Sequence, residues 1–227
     1  MAGADLDVGV VVAAAGKGVR FGRDKIFAKV NRFPLIWYSL NFFGAMKEIK
    51  SIAVVLPAED FEARKTRVEE LKIKKVKHIV AGAEMRQDSV YNGLLKISEP
   101  FVLVHDAARP VINKTEVLGL LRMLGQYTAV TLASPVRHAL GRVEGISLLD
   151  RIPRQNVWEL YTPQAFRTDI LMRAHLRRRS FGLDFTDDAT MMTLLNVPIK
   201  VLPVERLNVK VTFPSDLDLV KWQLKST

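Results

Sequence analysis

The chain has 227 residues, 34 lysines and arginines against 24 aspartates and glutamates, and no cysteine. That length suits one large domain that buries its core without staples, and the lack of cysteine excludes a disulfide framework, a thiolate zinc site, an iron–sulfur cluster and a cysteine nucleophile. The composition, 48% apolar and 26% charged, is that of a folded globular protein, and the net charge of +10 points to anionic partners: phosphorylated small molecules, nucleic acid or an acidic surface.

The N-terminal stretch Met1–Asp7 carries Asp5 and Asp7 and no basic segment, so it does not read as a signal peptide. No apolar stretch approaches the ~20 residues that span a bilayer, and the expected compartment is the cytoplasm. Val8–Ala14 is a valine-rich run typical of a strand buried on both faces, and it ends in the turn Gly16-Lys17-Gly18. Pro34 opens a helix with Leu35, Ile36, Leu40 and Phe43 on one face. Ile52–Leu56 is a second strand, and a charged helix follows over Glu59–Lys72. Lys77–Val80 and Phe101–Val104 are the third and fourth strands, and Asn113 caps a helix through Val117, Leu120, Leu121 and Leu124. Thr128–Leu132 is a fifth strand.

Strand and helix alternating in this way predict parallel strands with crossover helices, and ligands then sit beyond the strands' carboxyl ends. Three loops occupy such positions: Gly16–Arg20, Ala81–Ser89 and His105–Pro110. Between Ser134 and Pro163 the alternation stops. Two short segments, Pro135–Val143 and Ile146–Ile152, flank a turn at Glu144-Gly145 and read as an arm outside the main sheet. After it come a helix capped by Thr168 and running to Arg178, another over Asp188–Leu195, strands at Ile199–Val204 and Asn208–Thr212, and a last helix capped by Ser215.

Ala13-Ala14-Ala15-Gly16-Lys17-Gly18-Val19-Arg20 can bring backbone N–H groups close to phosphate. It is not a Walker A loop, since no Gly-Lys-Ser/Thr follows at the required spacing, nor the dinucleotide fingerprint, since Phe21 stands where the third glycine belongs. Taken alone it is equally a tight strand-to-helix turn, but Arg20, Arg23, Lys25 and Lys29 close behind favour a polyphosphate. Asp106, at the end of the fourth strand, is placed to bind Mg²⁺ together with substrate phosphates, or else to serve as an N-cap or pair with Arg109. His105 reads as a hydrogen-bonded structural residue. Arg173, His175, Arg177, Arg178 and Arg179 read as a solvated helix end, favoured there by the helix dipole. Asp187-Asp188 caps the next helix or approaches a metal. Trp37, Trp158 and Trp222 are expected in the core or an interface.

Taken together, the motifs are more specific than any one of them. Ala14-Ala15-Gly16-x-Gly18-x-Arg20, Gly82-x-x-x-Arg86-x-x-Ser89, His105-Asp106-Ala107-Ala108-Arg109-Pro110, Thr162-Pro163-Gln164-x-Phe166, Thr186-Asp187-Asp188-Ala189 and Asn208-Val209-Lys210-Val211-Thr212 follow one another over nearly the whole chain. In this order they resemble the 2-C-methyl-D-erythritol 4-phosphate cytidylyltransferases. The resemblance implies an α/β, Rossmann-like, mostly parallel sheet (the nucleotide-diphospho-sugar transferase fold) forming one domain over 1–227. It also implies a β-arm at about 134–163 that builds a homodimer.

The implied reaction is attack of a sugar-alcohol phosphate on the α-phosphate of CTP, expelling pyrophosphate with Mg²⁺ as cofactor. The implied catalytic residues are Arg20, Lys25 (with Lys29 as a rival) and Lys210. Ala14, Ala15, Gly16, Gly18, Gly82, Arg86, Ser89, Asp106 and Ala107 would hold CTP. Asp106, Arg109, Arg154 and Thr162 would hold the acceptor, and Asp106 the metal. Two positions depart from the family pattern: Asp24 replaces the usual proline before the loop lysine, and Ala139 replaces the usual threonine of the arm. The second departure leaves ribitol 5-phosphate as an alternative acceptor. A basic nucleic-acid-binding relative without catalysis is the alternative from another class.

Overall fold

The computed structural model describes residues 6–16, 18–22, 24–206 and 208–225, so Lys17 and Arg23 of the cationic loop lie outside the described residues. In chain order the elements are β1 (Val8–Ala13), β2 (Lys29–Val30), β3 (Phe33–Pro34), α1 (Leu35–Ala45), β4 (Ile49–Leu56), α2 (Phe61–Glu69) and β5 (Val76–Ala81). There follow α3 (Arg86–Leu94), β6 (Phe101–Asp106), α4 (Lys114–Leu124), β7 (Ala129–Pro135), β8 (Leu140–Glu144) and β9 (Ser147–Ile152). The chain closes with β10 (Trp158–Arg167), α5 (Thr168–Phe181), α6 (Asp188–Met191), β11 (Ile199–Pro203) and α7 (Asp216–Lys225).

Seven strands form the central sheet in the order β11-β7-β10-β6-β1-β4-β5. β1 pairs in parallel with β4 and β6, and β11 pairs in parallel with β7; β10 alone runs antiparallel to its neighbours. Successive side chains of a strand point to opposite faces, and the valines of β1 divide accordingly. Val10 and Val12 join one core with Leu40 and Phe43 of α1 and Leu120 of α4. Val11 joins the core on the other face with Val90 of α3, Leu171 of α5 and Met191 of α6. A third cluster gathers Phe21, Val30, Leu35, Val209, Val211 and Val220 beside the first loop.

The expected mostly parallel α/β sheet is present, with several local differences. α3 was expected only as part of a loop. Its polar sequence and Gly93 argue against a helix, but Val90 and Leu94 are buried on the sheet, and a Cβ at Gly93 would lie 2.7 Å from methyl groups of both Val11 and Val55. β10 was unexpected as well. Pro163 disfavours a central strand, and here the pairing with β7 shifts register between Tyr161 and Gln164. Asn208–Thr212 is not a strand: Val209 and Val211 are buried in the third cluster, and Val211 N donates to Ala108 O at 2.8 Å. Thr168 does not cap α5 but donates to Glu99 O at 2.7 Å. At the last helix Asp216, rather than Ser215, supplies the side-chain bonds, accepting from Thr212 and Phe213 N–H at 2.7 and 2.8 Å.

The helix end of α5 is not wholly solvated. Leu171, Ala174, His175 and Arg178 share its buried face, and Arg178 pairs with Asp88 of α3. None of the three tryptophans lies in the core: Trp37 stacks on Phe33 at 3.8 Å, while Trp158 and Trp222 are exposed. The arm is the β8–β9 hairpin, turning at Gly145 with φ +58°. Ser134 and Pro135 belong to β7, and Trp158–Pro163 to β10.

Gly93→Ala should gain about 1 kcal/mol of helix propensity yet lower stability by a net ~1–2 kcal/mol, because the added methyl drives α3 off the sheet. Urea unfolding measures this; an unchanged midpoint would mean that the helix tolerates the displacement.

Candidate active site

β6 ends at Asp106, and three other segments converge on its carboxylate. Arg86, at the start of α3, donates to Oδ1 from Nη2 at 2.9 Å and from Nε at 3.1 Å. Lys210, on the segment after β11, donates to Oδ2 from Nζ at 2.7 Å. Thr162 of β10 accepts from the Asp106 backbone N–H at 3.0 Å. Arg109 Nε stands 3.9 Å from Oδ2.

Asp106, Arg86 and Lys210 form a common wall between two cavities. The first, about 280 Å³, is bounded by Ala13, Ala14, Ala15 and Gly16 of the loop after β1, by Lys25, and by Ala83, Glu84 and Ser89. The second, about 310 Å³, is bounded by Arg109, Leu160, Thr162, Gln164, Thr186 and Asp187.

Small residues set the first cavity's shape. A Cβ at Gly82 would lie 2.4 Å from Ala15 Cβ and 2.8 Å from Ser89 Oγ, so only glycine lets the two loops meet. Ser89 then ties the second loop: its hydroxyl accepts from Ala83 N–H at 2.9 Å and lies 3.1 Å from Met85 O. Gly18 adopts φ +60°, and its carbonyl accepts from Phe21 N–H at 2.8 Å. Lys25 reaches the cavity wall, whereas Lys29 lies on β2, outside it. Asp24, the departure before Lys25, pairs with Arg64 of α2 at 3.0 Å and so fastens the lysine loop to that helix.

The remaining expected residues fall in different places. Arg109 donates to Asn208 O at 2.6 Å and lies over the Tyr161 ring at 5.3 Å. Asn208 in turn donates to Thr162 O at 3.1 Å. Arg20 is exposed, its guanidinium 5.8 Å from the Phe213 ring. Ala107 is fully buried and its N–H donates to Ala13 O at 3.0 Å, so it braces β1 rather than facing a cavity. Arg154 is exposed just past the end of the arm and donates to Arg137 O at 3.0 Å; it lines neither cavity of its own chain.

The Asp187-Asp188 pair divides its roles, the first as the expected cap and the second not as expected. Asp187 is the N-cap of α6, accepting from Thr190 N–H at 2.7 Å. Asp188 is fully buried and accepts from Arg86 Nη1 at 2.7 Å. The sequence signal for that pair was weak, because 102 residues separate the partners.

Burial alone would raise the Asp106 carboxyl, but Arg86 and Lys210 hold it well below the usual carboxylate range. Lys25 is pushed down from its ordinary value by burial and by the neighbouring Lys210 and Arg20 cations, against the pull of Asp106. His105 hydrogen-bonds as expected: Nε2 lies 3.0 Å from Arg109 O and 3.3 Å from Ser39 Oγ. Burial pushes its imidazole down to about 4, although Asp106 and the Arg109 carbonyl favour the proton. Among the described residues no group of three or more His, Asp or Glu side chains could hold a metal ion. No helix among them is long and apolar enough to cross a membrane.

A small-residue loop after the first strand, and lysines and arginines gathered on one strand-end carboxylate, are the equipment of a phosphate-handling transferase. The family model of 2-C-methyl-D-erythritol 4-phosphate cytidylyltransferase matches residues 8–226, and the chain belongs to that family. A relative of that name from Pelotomaculum thermopropionicum is 39% identical, the match covering 96% of this chain and 94% of the relative. One from Aquifex aeolicus is 37% identical over 93% and 94%. The crystal structure of the Thermus thermophilus protein of the same name superposes with a TM-score of 0.79 at 28% identity, covering 96% of this chain and 98% of that one.

His105 makes a pH prediction. Between its ordinary value of 6.5 and about 4 the unfolded chain binds a proton that the folded chain refuses. Stability should therefore fall as pH drops through that window. The urea midpoint of the wild-type protein is expected to decline from pH 7 to pH 4.5, and His105→Gln to flatten that part of the slope. An equal slope in both proteins would assign the effect elsewhere.

Proposed function

We propose that this chain transfers the CMP moiety of CTP to 2-C-methyl-D-erythritol 4-phosphate, releasing pyrophosphate, as a step of non-mevalonate isoprenoid synthesis. The observation that carries the reading is the shared wall. One carboxylate with its two cationic partners, Arg86 and Lys210, separates two cavities, as a reaction joining two anionic substrates requires. CTP would occupy the cavity under the Ala14–Gly18 loop, with its base near Gly82 and Ser89. The acceptor would lie on the side of Arg109 and Thr162.

An acceptor phosphate oxygen attacks the α-phosphorus; the new P–O bond forms as the bond to the β-phosphate's bridging oxygen breaks, and pyrophosphate leaves. The attacking group is already anionic at neutral pH, so no general base is needed. The protein's task is to cancel repulsion between the substrates, align them and stabilise charge growing at the α-phosphate. Lys25, Lys210 and Arg20 supply that charge. Arg20 lies outside the cavity walls, so it would close on the phosphates as they bind.

Mg²⁺ fits this donor set as an ion shared with substrate, because it favours one or two carboxylates plus phosphate oxygens over an all-protein cage. Asp106 would hold it, and the ion would neutralise the triphosphate oxygens. The arm would complete the acceptor site in a homodimer. Ile146 and Leu148 on it are 102% and 70% exposed, apolar surface that a second copy would cover. Arg154 would then serve the partner's cavity. The cytoplasm, where CTP is made, is the expected compartment.

Pyrophosphate release should occur with CTP and 2-C-methyl-D-erythritol 4-phosphate, and not with ATP, GTP or UTP, nor with ribitol 5-phosphate as acceptor. Release with ribitol 5-phosphate instead would keep the chemistry and overturn the acceptor. Arg20→Ala and Lys210→Ala should each lower kcat roughly 10²–10³-fold, the scale for losing one transition-state donor; near-normal turnover would remove the role given to that residue. Light scattering should report two copies per particle. Deleting the 140–152 hairpin should give single copies with little activity.

A further inference from the structure

Behind Arg86, outside both cavities, a carboxylate and an imidazole are sealed in the interior with no part in the reaction as written. Asp188, the first residue of α6, and His175, in α5, are both fully buried. Asp188 Oδ2 accepts from Arg86 Nη1 at 2.7 Å, while its Oδ1 lies 3.5 Å from His175 Nε2. Oδ1 makes no hydrogen bond among the described residues, nor does either His175 nitrogen. Arg86 therefore grips two carboxylates with different edges of one planar fork. Nη1 faces Asp188 behind it, and Nε and Nη2 face Oδ1 of Asp106 in front.

We propose that Asp188, backed by His175, is a positioning residue that aims Arg86 from behind, so that the guanidinium takes Oδ1 of Asp106 and leaves Oδ2 to Lys210. The inference rests on the cytidylyl-transfer reading of the site. A guanidinium prefers to bind a carboxylate with two parallel bonds, one to each oxygen. Arg86 does not: both of its front bonds converge on one oxygen. The pull of Asp188 on Nη1 accounts for that geometry. It keeps the second oxygen free, and with it the seat that holds the Lys210 ammonium on the wall between the cavities. A pair buried for stability alone would be a poor design, since hydrophobic replacements of such pairs are often neutral or stabilising.

Asp188→Asn keeps the shape and removes the charge. Arg86 is then expected to turn onto both Asp106 oxygens and displace Lys210. kcat should fall roughly 10–100-fold while KM for CTP stays within about threefold, the pattern of a transition-state interaction lost through misplacement. In an Arg86→Lys background the same substitution should add nothing, because Asp188 acts through Arg86; losses that multiply would overturn the proposal. His175→Gln should show the same split, more weakly. If Asp188→Asn does not fold, a folded His175→Gln protein with wild-type kcat overturns it.

One readout needs no substrate. The Arg86 Nε–H resonance of the free ¹⁵N-labelled protein, assigned by its loss in Arg86→Lys, should shift in both Asp188→Asn and His175→Gln. An unmoved resonance overturns the proposal even where turnover falls. A shifted resonance in a protein whose wild type is inactive with CTP and 2-C-methyl-D-erythritol 4-phosphate would support the positioning and strike down the activity reading instead.

Discussion

The site depends on one carboxylate that is charged where burial opposes charge. Asp106 is 7% exposed, yet its carboxyl stays ionised far into acid because Arg86 and Lys210 each hold one of its oxygens. Losing either cation would leave a buried charge short of compensation, which is strongly destabilising. Three separate parts of the chain are therefore fixed to the end of β6: α3 through Arg86, the 208–212 segment through Lys210, and β10 through the Thr162 hydroxyl. The sheet order explains why they meet. β6 lies between β1, which ends in the small-residue loop, and β10, whose antiparallel direction brings its beginning to the carboxyl edge of the other strands.

The irregularity of the 208–212 segment follows from what it must do. A strand would continue pairing along the sheet edge; here Val209 and Val211 instead anchor in a small core with Phe21, Val30 and Val220. That core also carries the residues that follow the glycine loop. Lys210 and the loop thus share one packed support, and a displacement of either is felt by the other, since interiors packed to native density transmit strain. Lys25 sits within this arrangement with its charge disfavoured by burial and by Lys210. A bound polyanion would relieve both. The energy of anion binding is then partly the release of repulsion built into the site, which favours a triphosphate over a neutral ligand.

The sequence made the frame legible and left the keystones hidden. β1, β4 and β6 are apolar runs that announce themselves, and the position of Asp106 at a strand's carboxyl end was readable, though its partners Arg86 and Lys210 were not. The arm showed as a break in alternation with a glycine turn. α3 was not legible, because its helix exists through contacts with Val11 and Val55 rather than through its own propensity. β10 was hidden by Pro163. Arg178 and His175 looked like a charged helix end, but their spacing with Leu171 and Ala174 places them on the buried face of α5. Asp188 could be read as approaching a metal, beside a capping Asp187; its partner Arg86 is 102 residues away, and no local pattern reports such a pair.

α3 shows why these hidden contacts matter to the chemistry. Arg86 is its first residue, so the helix's position sets where the guanidinium stands. The helix is held against the sheet at Gly93, to α5 through Asp88 and Arg178, and to the 183–185 segment through Gln87, whose amide donates to Asp184 Oδ1 at 2.7 Å and accepts from Phe185 N–H at 2.7 Å. None of these contacts touches either cavity. The positive end of the helix dipole and the Arg86 charge coincide at the cavity wall, where both favour an anion. A site that would work by placing cations rather than by donating protons would gain its accuracy from the rigidity of the elements that carry them. That rigidity resides in α3 and its neighbours, which gives contacts outside both cavities, such as the Asp88–Arg178 pair, a part in a reaction that would need little covalent chemistry from the protein.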